Sequence, residues 1–402
     1  MQAFKFNYQD VFRAPRFAFS LQRMWIQLVG LSVGYIAYLI LTYLSFLSAG
    51  FGLSGSWARY GLLPCLLAAG ESYPWYSWLI WITGSVLFVA VLLVTNTAVS
   101  RAIYMQIKGN NFYSWRESFS FALRKIWSVL LTPLSLLILV GFMVVGGLVV
   151  GLLGKIPFVG ELGVSLFTII WFFAALLLFF ILIVAAISAL LVPAIIATTD
   201  EDAFEAIFQS FSITWNQPWR FILYEATTLV LSVFAMGIFA FFVKESVMIM
   251  NNIFASFMGA NFVNLSNNGQ AMLQSWLLMG QNIIEGLFRG LSPLVYFQRE
   301  FVLIPASELT VTVVISSYFY GLSLLFIAGW VLSYGLATFA SGNTVFYIAL
   351  RKIKDDENLL ERKDKEEEEE EEEEQKGNEE SEKEPEEIKD QEAESDEGTE
   401  KE

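Results

Sequence analysis

Histidine is absent from the 402 residues of this chain, and cysteine occurs once, as Cys65. The first absence excludes imidazole acid–base catalysis, histidine-activated nucleophiles, histidine metal ligands and histidine pH sensing. The second excludes an internal disulfide and a thiolate metal site. No glycine-rich phosphate loop ending in Gly-Lys-Ser/Thr occurs. Charge is scarce as well: 16% of residues are Asp, Glu, Lys or Arg, against about 25% in soluble proteins. It is also displaced. Residues 351–402 hold 10 of the 25 basic and 27 of the 40 acidic residues, a net of −17. That leaves 15 basic and 13 acidic residues in 1–350, a net of +2, too sparse for a nucleic-acid surface. What remains is 55% hydrophobic and 16% aromatic composition. These values exclude a soluble globular enzyme and place the body of the chain in a lipid bilayer.

A helix needs about 20 apolar residues to cross a ~30 Å hydrocarbon core. Six stretches qualify: Trp25–Leu47, Trp78–Val99, Trp127–Leu153, Leu162–Pro193, Phe221–Val243 and Val311–Ile348. The fourth and sixth are longer than one crossing needs, and Ser341-Gly342-Asn343 is the weakest point of the sixth. Arg13, Arg16 and Arg23 precede a long apolar stretch, not a short one with a cleavage site, so the first span is expected to stay in the mature protein. Lys5, Arg13, Arg16 and Arg23 precede the first span. Arg101, Lys108, Arg116, Arg124 and Lys125 lie between the second and third, and Arg351, Lys352 and Lys354 follow the sixth. The other side carries Arg59 and Lys155. Basic residues favour the cytoplasmic side, so six crossings with both termini cytoplasmic are expected.

The chain resembles itself. Phe17, Phe19, Leu21, Arg23 and Trp25 return as Phe119, Phe121, Leu123, Lys125 and Trp127 at a shift of 102. Asn96, Thr97, Ala102 and Lys108 resemble Asn343, Thr344, Ala349 and Lys354. Three parallel units follow, residues 1–110, 111–197 and 198–355, each an amphipathic segment and two crossings. Ser114 and Glu117 have capping-box spacing; Asn7–Asp10 and Thr199–Asp202 are looser versions. Phe204, Ile207, Phe208, Phe211 and Trp215 share one helix face, as do Trp115, Phe119, Ala122 and Ile126. These read as elbow helices lying on the inner leaflet, or as stripes packed on the protein's own spans. Trp25, Trp127 and Trp219 sit at the depth that anchors indoles at the interface.

Residues 244–310 form a non-cytoplasmic amphipathic insertion. Leu273, Leu277, Gly280, Ile284, Leu287 and Leu291 make a narrow apolar seam, expected to cap the protein's own bundle. Residues 356–402, with Glu366–Glu374 unbroken, read as a disordered acidic cytoplasmic tail of low complexity. The tail and the 244–310 segment are the places offered to a protein partner; the lipid bilayer is the other partner. Nothing in the pattern fixes an oligomeric state.

Few residues carry chemistry. Glu225 is the one clear ionisable residue inside an expected span, and Asn96 ends another; intramembrane polar groups mark either function or helix–helix hydrogen bonds. Gly30 with Gly34, and Gly147 with Gly151, form GxxxG patterns that predict close helix crossings inside the bundle. Pro133 and Pro193 are expected to bend or stop helices. No catalytic, cofactor-binding or metal-binding set is present.

Lys108-Gly109, Ser114, Glu117-Ser118-Phe119, Leu191, Pro193-Ala194, Glu205-Ala206, Ser210-Phe211 and Trp219-Arg220 together resemble the multi-pass membrane domain of bacterial glycerophosphodiester phosphodiesterases and of related stand-alone proteins. Asn343-Thr344, Phe346-Tyr347 and Leu350-Arg351 are similar to the end of that domain. The resemblance covers roughly half the chain. It implies a membrane module of a bacterial inner membrane and not hydrolysis, because the catalytic domain and its histidines are missing. The expectation is an all-α polytopic helix bundle of about six transmembrane helices with cytoplasmic elbow helices. Its expected function is non-enzymatic, a scaffold or accessory factor organising partners or lipids at the inner leaflet. A transporter or channel for a small or amphiphilic solute is the alternative, and a lipid-modifying enzyme a weaker third.

Overall fold

The computed structural model describes residues 4–67, 72–287, 304–305 and 308–362, and at 278–287 the backbone alone. Regular structure among the described residues is all helical. In chain order the helices are α1 (Tyr8–Val11), α2 (Ala14–Ala18), α3 (Leu21–Ser48), α4 (Leu53–Tyr60), α5 (Trp75–Lys108), α6 (Trp115–Arg124) and α7 (Ile126–Leu153). They continue as α8 (Val159–Leu166), α9 (Thr168–Thr199), α10 (Ala203–Asn216), α11 (Pro218–Met258), α12 (Ala260–Leu287) and α13 (Val311–Asp355). Six of them, α3, α5, α7, α9, α11 and α13, are long and apolar enough to cross a membrane. Hydrocarbon offers no partner to backbone N–H and C=O groups, so an apolar chain of this length satisfies them internally as helix. Buried hydroxyls follow the same rule. Thr42, Thr97, Thr198, Thr338 and Thr344 each donate to the carbonyl four residues back.

The first, second, fifth and sixth helices run beyond the expected span ends, while the third matches its expected span to within one residue. The fourth is shifted towards the C-terminus, and α13 passes unbroken through Ser341, Gly342 and Asn343, all buried. Pro133 and Pro193 lie inside α7 and α9 and stop neither helix. α11 has 41 residues and α13 has 45. At 1.5 Å per residue these measure about 60 and 70 Å, twice the hydrocarbon thickness. The insertion expected at 244–310 therefore begins as a continuation of α11.

One end of the bundle, the base, carries α1, α2, α6, α10 and the described C-terminal residues; the far end carries α4, α8 and α12. The best-buried apolar residues gather towards the base. Ile195, Ile196, Val345, Phe346, Tyr347 and Leu350, from the last turns of α9 and α13, pack with Tyr104 of α5 and Phe121 of α6. Ile26, Ala98, Val99, Ile103 and Ala337 form a neighbouring cluster. By contrast Phe142, Leu148, Ile169 and Phe172, in the far halves of α7 and α9, are mostly exposed. These surfaces match lipid.

At the far end Tyr35, Tyr38 and Tyr43 of α3 donate to the carbonyls of Leu62, Pro64 and Gly61, pinning the loop after α4. α12 folds back onto this end. Gly269 is so close to α13 that a Cβ would lie 2.7 Å from the Ser317 carbonyl oxygen. Leu62 N–H donates to Trp276 O at 3.0 Å. Leu273 and Leu277 are half-buried, while Phe262, Ser266, Gly269 and Met272 are buried. The buried stripe thus begins earlier than the expected seam and mixes Phe262 and Met272 with small and polar residues. Leu291 and the acidic run 363–402 lie outside the described residues, and at Gly280, Ile284 and Leu287 the backbone alone is described.

Candidate functional site

The base is assembled by short amphipathic helices with specified starts. Ser114 Oγ accepts from Glu117 N at 3.3 Å while the Glu117 carboxylate accepts from Ser114 N at 2.8 Å, a reciprocal capping box. Asn7 and Asp10 form a second one. For α10 the cap is Asp202, accepting from Glu205 N at 3.1 Å; Thr199 instead ends α9. Ala206, Ser210 and Ile213 seat α10 on the body, which turns Phe204, Phe208 and Trp215 outwards. Ile207 and Phe211 bridge to Leu136 and Val184. α6 differs: it buries Phe121 and Ala122 and leaves Trp115 partly exposed. The stripe of α6 thus packs partly on the protein's own spans, whereas three of the five stripe residues of α10 face outwards. Trp127 and Trp219 are 70% and 81% exposed, whereas Trp25 is partly covered and lies 6.4 Å from the Trp330 ring.

Beneath these helices sits a cation that sequence reasoning placed in a loop. α5 does not end near Val99 but continues to Lys108, and Arg101 is fully buried. Its Nη1 donates to Ala197 O at 3.1 Å, and the guanidinium lies 4.2 Å from the Phe121 ring centroid. Arginine suits this position because its planar, weakly hydrated head can stack on a ring while it hydrogen-bonds. The available signal was Arg101 three residues before Tyr104, one helical turn, with Tyr104 also against the guanidinium.

Residues 356–362, expected at the start of the tail, pack on the base instead. After Asp356, which turns the chain with φ 54°, residues 357–362 cross the base. Leu359 is fully buried, its carbonyl accepts from Tyr104 Oη at 2.7 Å, and Lys108 Nζ donates to Arg362 O at 3.0 Å. Arg362 pairs with Glu201, and Arg351 pairs with Glu357 at 2.7 Å and donates to Gln209 at 2.7 Å. Burial pulls the Arg362 pKa down, but the hydrogen bond and charge of Glu201 outweigh it, so the net shift is upward. This cation stays protonated at any working pH. Lys125 closes the opposite side against Asp200 at 2.6 Å.

The remaining candidates divide. Asn96 Oδ1 accepts from Gln27 Nε2 at 3.2 Å, joining α5 to α3. Gly30 and Gly34 lie in the same contact, against Thr95 and against Phe88 and Val91. Gly147 and Gly151 make no close crossing among the described residues: none of these comes within 4 Å of a Cβ built on either. Glu225 lies on α11 with its Oε2 buried and without a hydrogen-bond partner among the described residues. The structure does not bring Glu225, Asn96 and the interfacial tryptophans into one cluster.

Helix lengths, apolar exteriors and aromatic surface helices define the class: an all-α, polytopic integral membrane protein. Comparison with family models, with curated proteins and with solved structures finds no match for the chain.

Proposed function

We propose that this chain is a non-enzymatic scaffold or accessory factor of the inner membrane, with its base in the cytoplasm, organising lipids or protein partners at that leaflet. The observation that carries the reading is the outward aromatic collar at the base: Phe112, Trp127, Phe204, Phe208, Trp215 and Trp219 are all largely exposed. Aromatic side chains at headgroup depth bind an interface, and fixed helices that present them make a platform. The resemblance to a non-catalytic membrane module points the same way.

A photo-crosslinking residue replacing Phe208 or Trp219 tests the platform. Phospholipid adducts, or one defined protein adduct, are expected from intact membranes. Reaction with water alone would sink the reading. Orientation has its own test. In a Cys65→Ser background, Lys155→Cys in the exposed turn before α8 is expected to react with an impermeant maleimide added to intact cells. Arg116→Cys on α6 is expected to react after permeabilisation alone. The opposite pattern would invert the topology.

A second reading, solute transport, has one observation of its own. Polar atoms buried without a hydrogen-bond partner among the described residues occur on several spans: Gln27 Oε1, Ser188 Oγ, Glu225 Oε2, Thr228 Oγ1 and Asn343 Oδ1. Such atoms mark buried water or a polar path. Glu225→Gln keeps shape and removes charge. Under this reading it abolishes flux in reconstituted vesicles at unchanged folded yield; under the scaffold reading both are unchanged.

A further inference from the structure

A polar cavity of about 340 Å³ opens at the base between the start of α3 and the end of α5. Its walls include Arg16, Ser20, Arg23, Gln106, Asn110 and Asn111, and no carboxylate is among the lining residues. The volume holds about ten waters. Two features make it an anion site and not a surface dent. First, α3 is a 28-residue helix whose Ser20 side chain makes no capping hydrogen bond. Its first-turn N–H groups and the positive end of its dipole therefore remain on offer. Second, Arg23 is 6% exposed, its Nη1 is held by the Phe17 carbonyl, and its Nε has no hydrogen-bond partner among the described residues. A buried guanidinium without a carboxylate leaves its charge to be met by something else. Gln106 Oε1 is likewise buried and unpartnered, and its amide can present either end to a ligand. Arg16 stands exposed at the mouth.

We propose that this cavity binds a phosphoryl group, with Arg23 as the buried ligand, the α3 N-terminus as backbone donor and Arg16 as the outer clamp. Guanidinium forks match phosphate oxygens in pairs, and charge-assisted bonds of this kind are the strong ones. Phe19 lines the same cavity and is exposed, and Trp25 follows one turn further along α3. The mouth therefore opens at headgroup depth, where a phosphomonoester lipid presents its anion. A soluble phosphate compound from the base side offers the same chemistry. The proposal deepens the scaffold reading by naming a ligand class and rests on it for the lipid source alone.

The full chain in detergent is titrated with short-chain phosphatidic acid, with the matching uncharged diacylglycerol and with inorganic phosphate, following thermal stability. Saturable stabilisation by phosphatidic acid but not by diacylglycerol or phosphate supports the site with a lipid source. Stabilisation by inorganic phosphate supports it with a soluble source. Arg16→Gln is expected to weaken binding roughly tenfold, the loss of one charge-assisted contact. Arg23→Lys, which keeps the charge and the donor to Phe17, is expected to weaken it by a similar factor. Arg220→Gln, an exposed arginine on α11 outside the cavity, leaves binding unchanged. No stabilisation by either anion, or equal losses in Arg16→Gln and Arg220→Gln, overturns the proposal. Crosslinking from Phe208 and Trp219 does not pass through this cavity, so the scaffold reading stands or falls separately.

Discussion

Gly30→Ala is expected to destabilise the folded protein severely, while Gly147→Ala leaves it as stable or slightly more so. A Cβ on Gly30 would lie 2.0 Å from Thr95 Oγ1, 2.4 Å from its Cγ2 and 2.6 Å from its Cβ. Rotating Thr95 cannot relieve the last of these, because Cβ does not move with χ1. The helices must part until carbon atoms reach ordinary contact, about 3.5–4 Å. Parting α3 from α5 there strains the Gln27–Asn96 hydrogen bond and the Gly34 contact with Phe88 and Val91 one turn on. Overpacking costs roughly 1–3 kcal/mol, and this site belongs at the upper end or above it. Gly147 meets nothing within 4 Å, so alanine there adds only helix propensity, about 0.5–1 kcal/mol in its favour. Thermal aggregation followed by size-exclusion chromatography in detergent separates the two. Thr95→Gly is expected to restore Gly30→Ala, a coupling that a double-mutant cycle reads directly. Full stability of Gly30→Ala alone would mean that α3 and α5 do not pack as described.

The contrast shows where sequence reasoning reached its limit. Both glycine pairs have the same spacing in apolar membrane-spanning helices, and the more apolar of the two helices is the one that makes no close crossing. Periodicity states that backbones could approach, not that a partner helix is present. Hydropathy located all six spans because lipid imposes one length and one composition. It placed the third to within one residue and misplaced ends of the others, because a helix continues past the bilayer wherever its next residues find packing. α11 runs on towards α12, and α13 runs on through Arg351 to its pairs with Asp355 and Glu357. The capping boxes at Asn7 and Ser114 were legible because a cap is a local chemical event. Arg101 was not, because its acceptor, Ala197, lies 96 positions along the chain. The Arg16–Arg23 cavity was legible only as two charges in an orientation count; it forms when α2, α3 and the end of α5 meet.

Deleting residues 356–402 is expected to cost about 3 kcal/mol, and deleting 363–402 close to nothing. The difference is the seven-residue strap across the base. Its polar contacts contribute little to the difference. Arg362 and Glu201 are each about a third exposed, and pairs of that kind contribute at most about 1 kcal/mol. Without the strap, Tyr104 Oη and Lys108 Nζ would face water in place of the Leu359 and Arg362 carbonyls. The apolar contacts decide the balance. Leu359 is fully buried and Leu360 packs against the same cluster with Tyr104, Phe346 and Leu350. Burying a leucine contributes about 1.5–3 kcal/mol, and truncating it in place costs about 2–5. Leu359→Ala in the full chain should therefore reproduce most of the loss, and Arg362→Ala little of it. Raising salt from about 0.1 M to about 1 M collapses the Debye length from about 10 to 3 Å. It should leave the Leu359→Ala deficit unchanged and erase what small deficit Arg362→Ala shows. Equal stability of the two truncations would show that the strap is not docked. One leucine pair among the charged residues that follow Arg351 thus holds the chain against the base as far as Arg362, beside Glu201 and the first turn of α10.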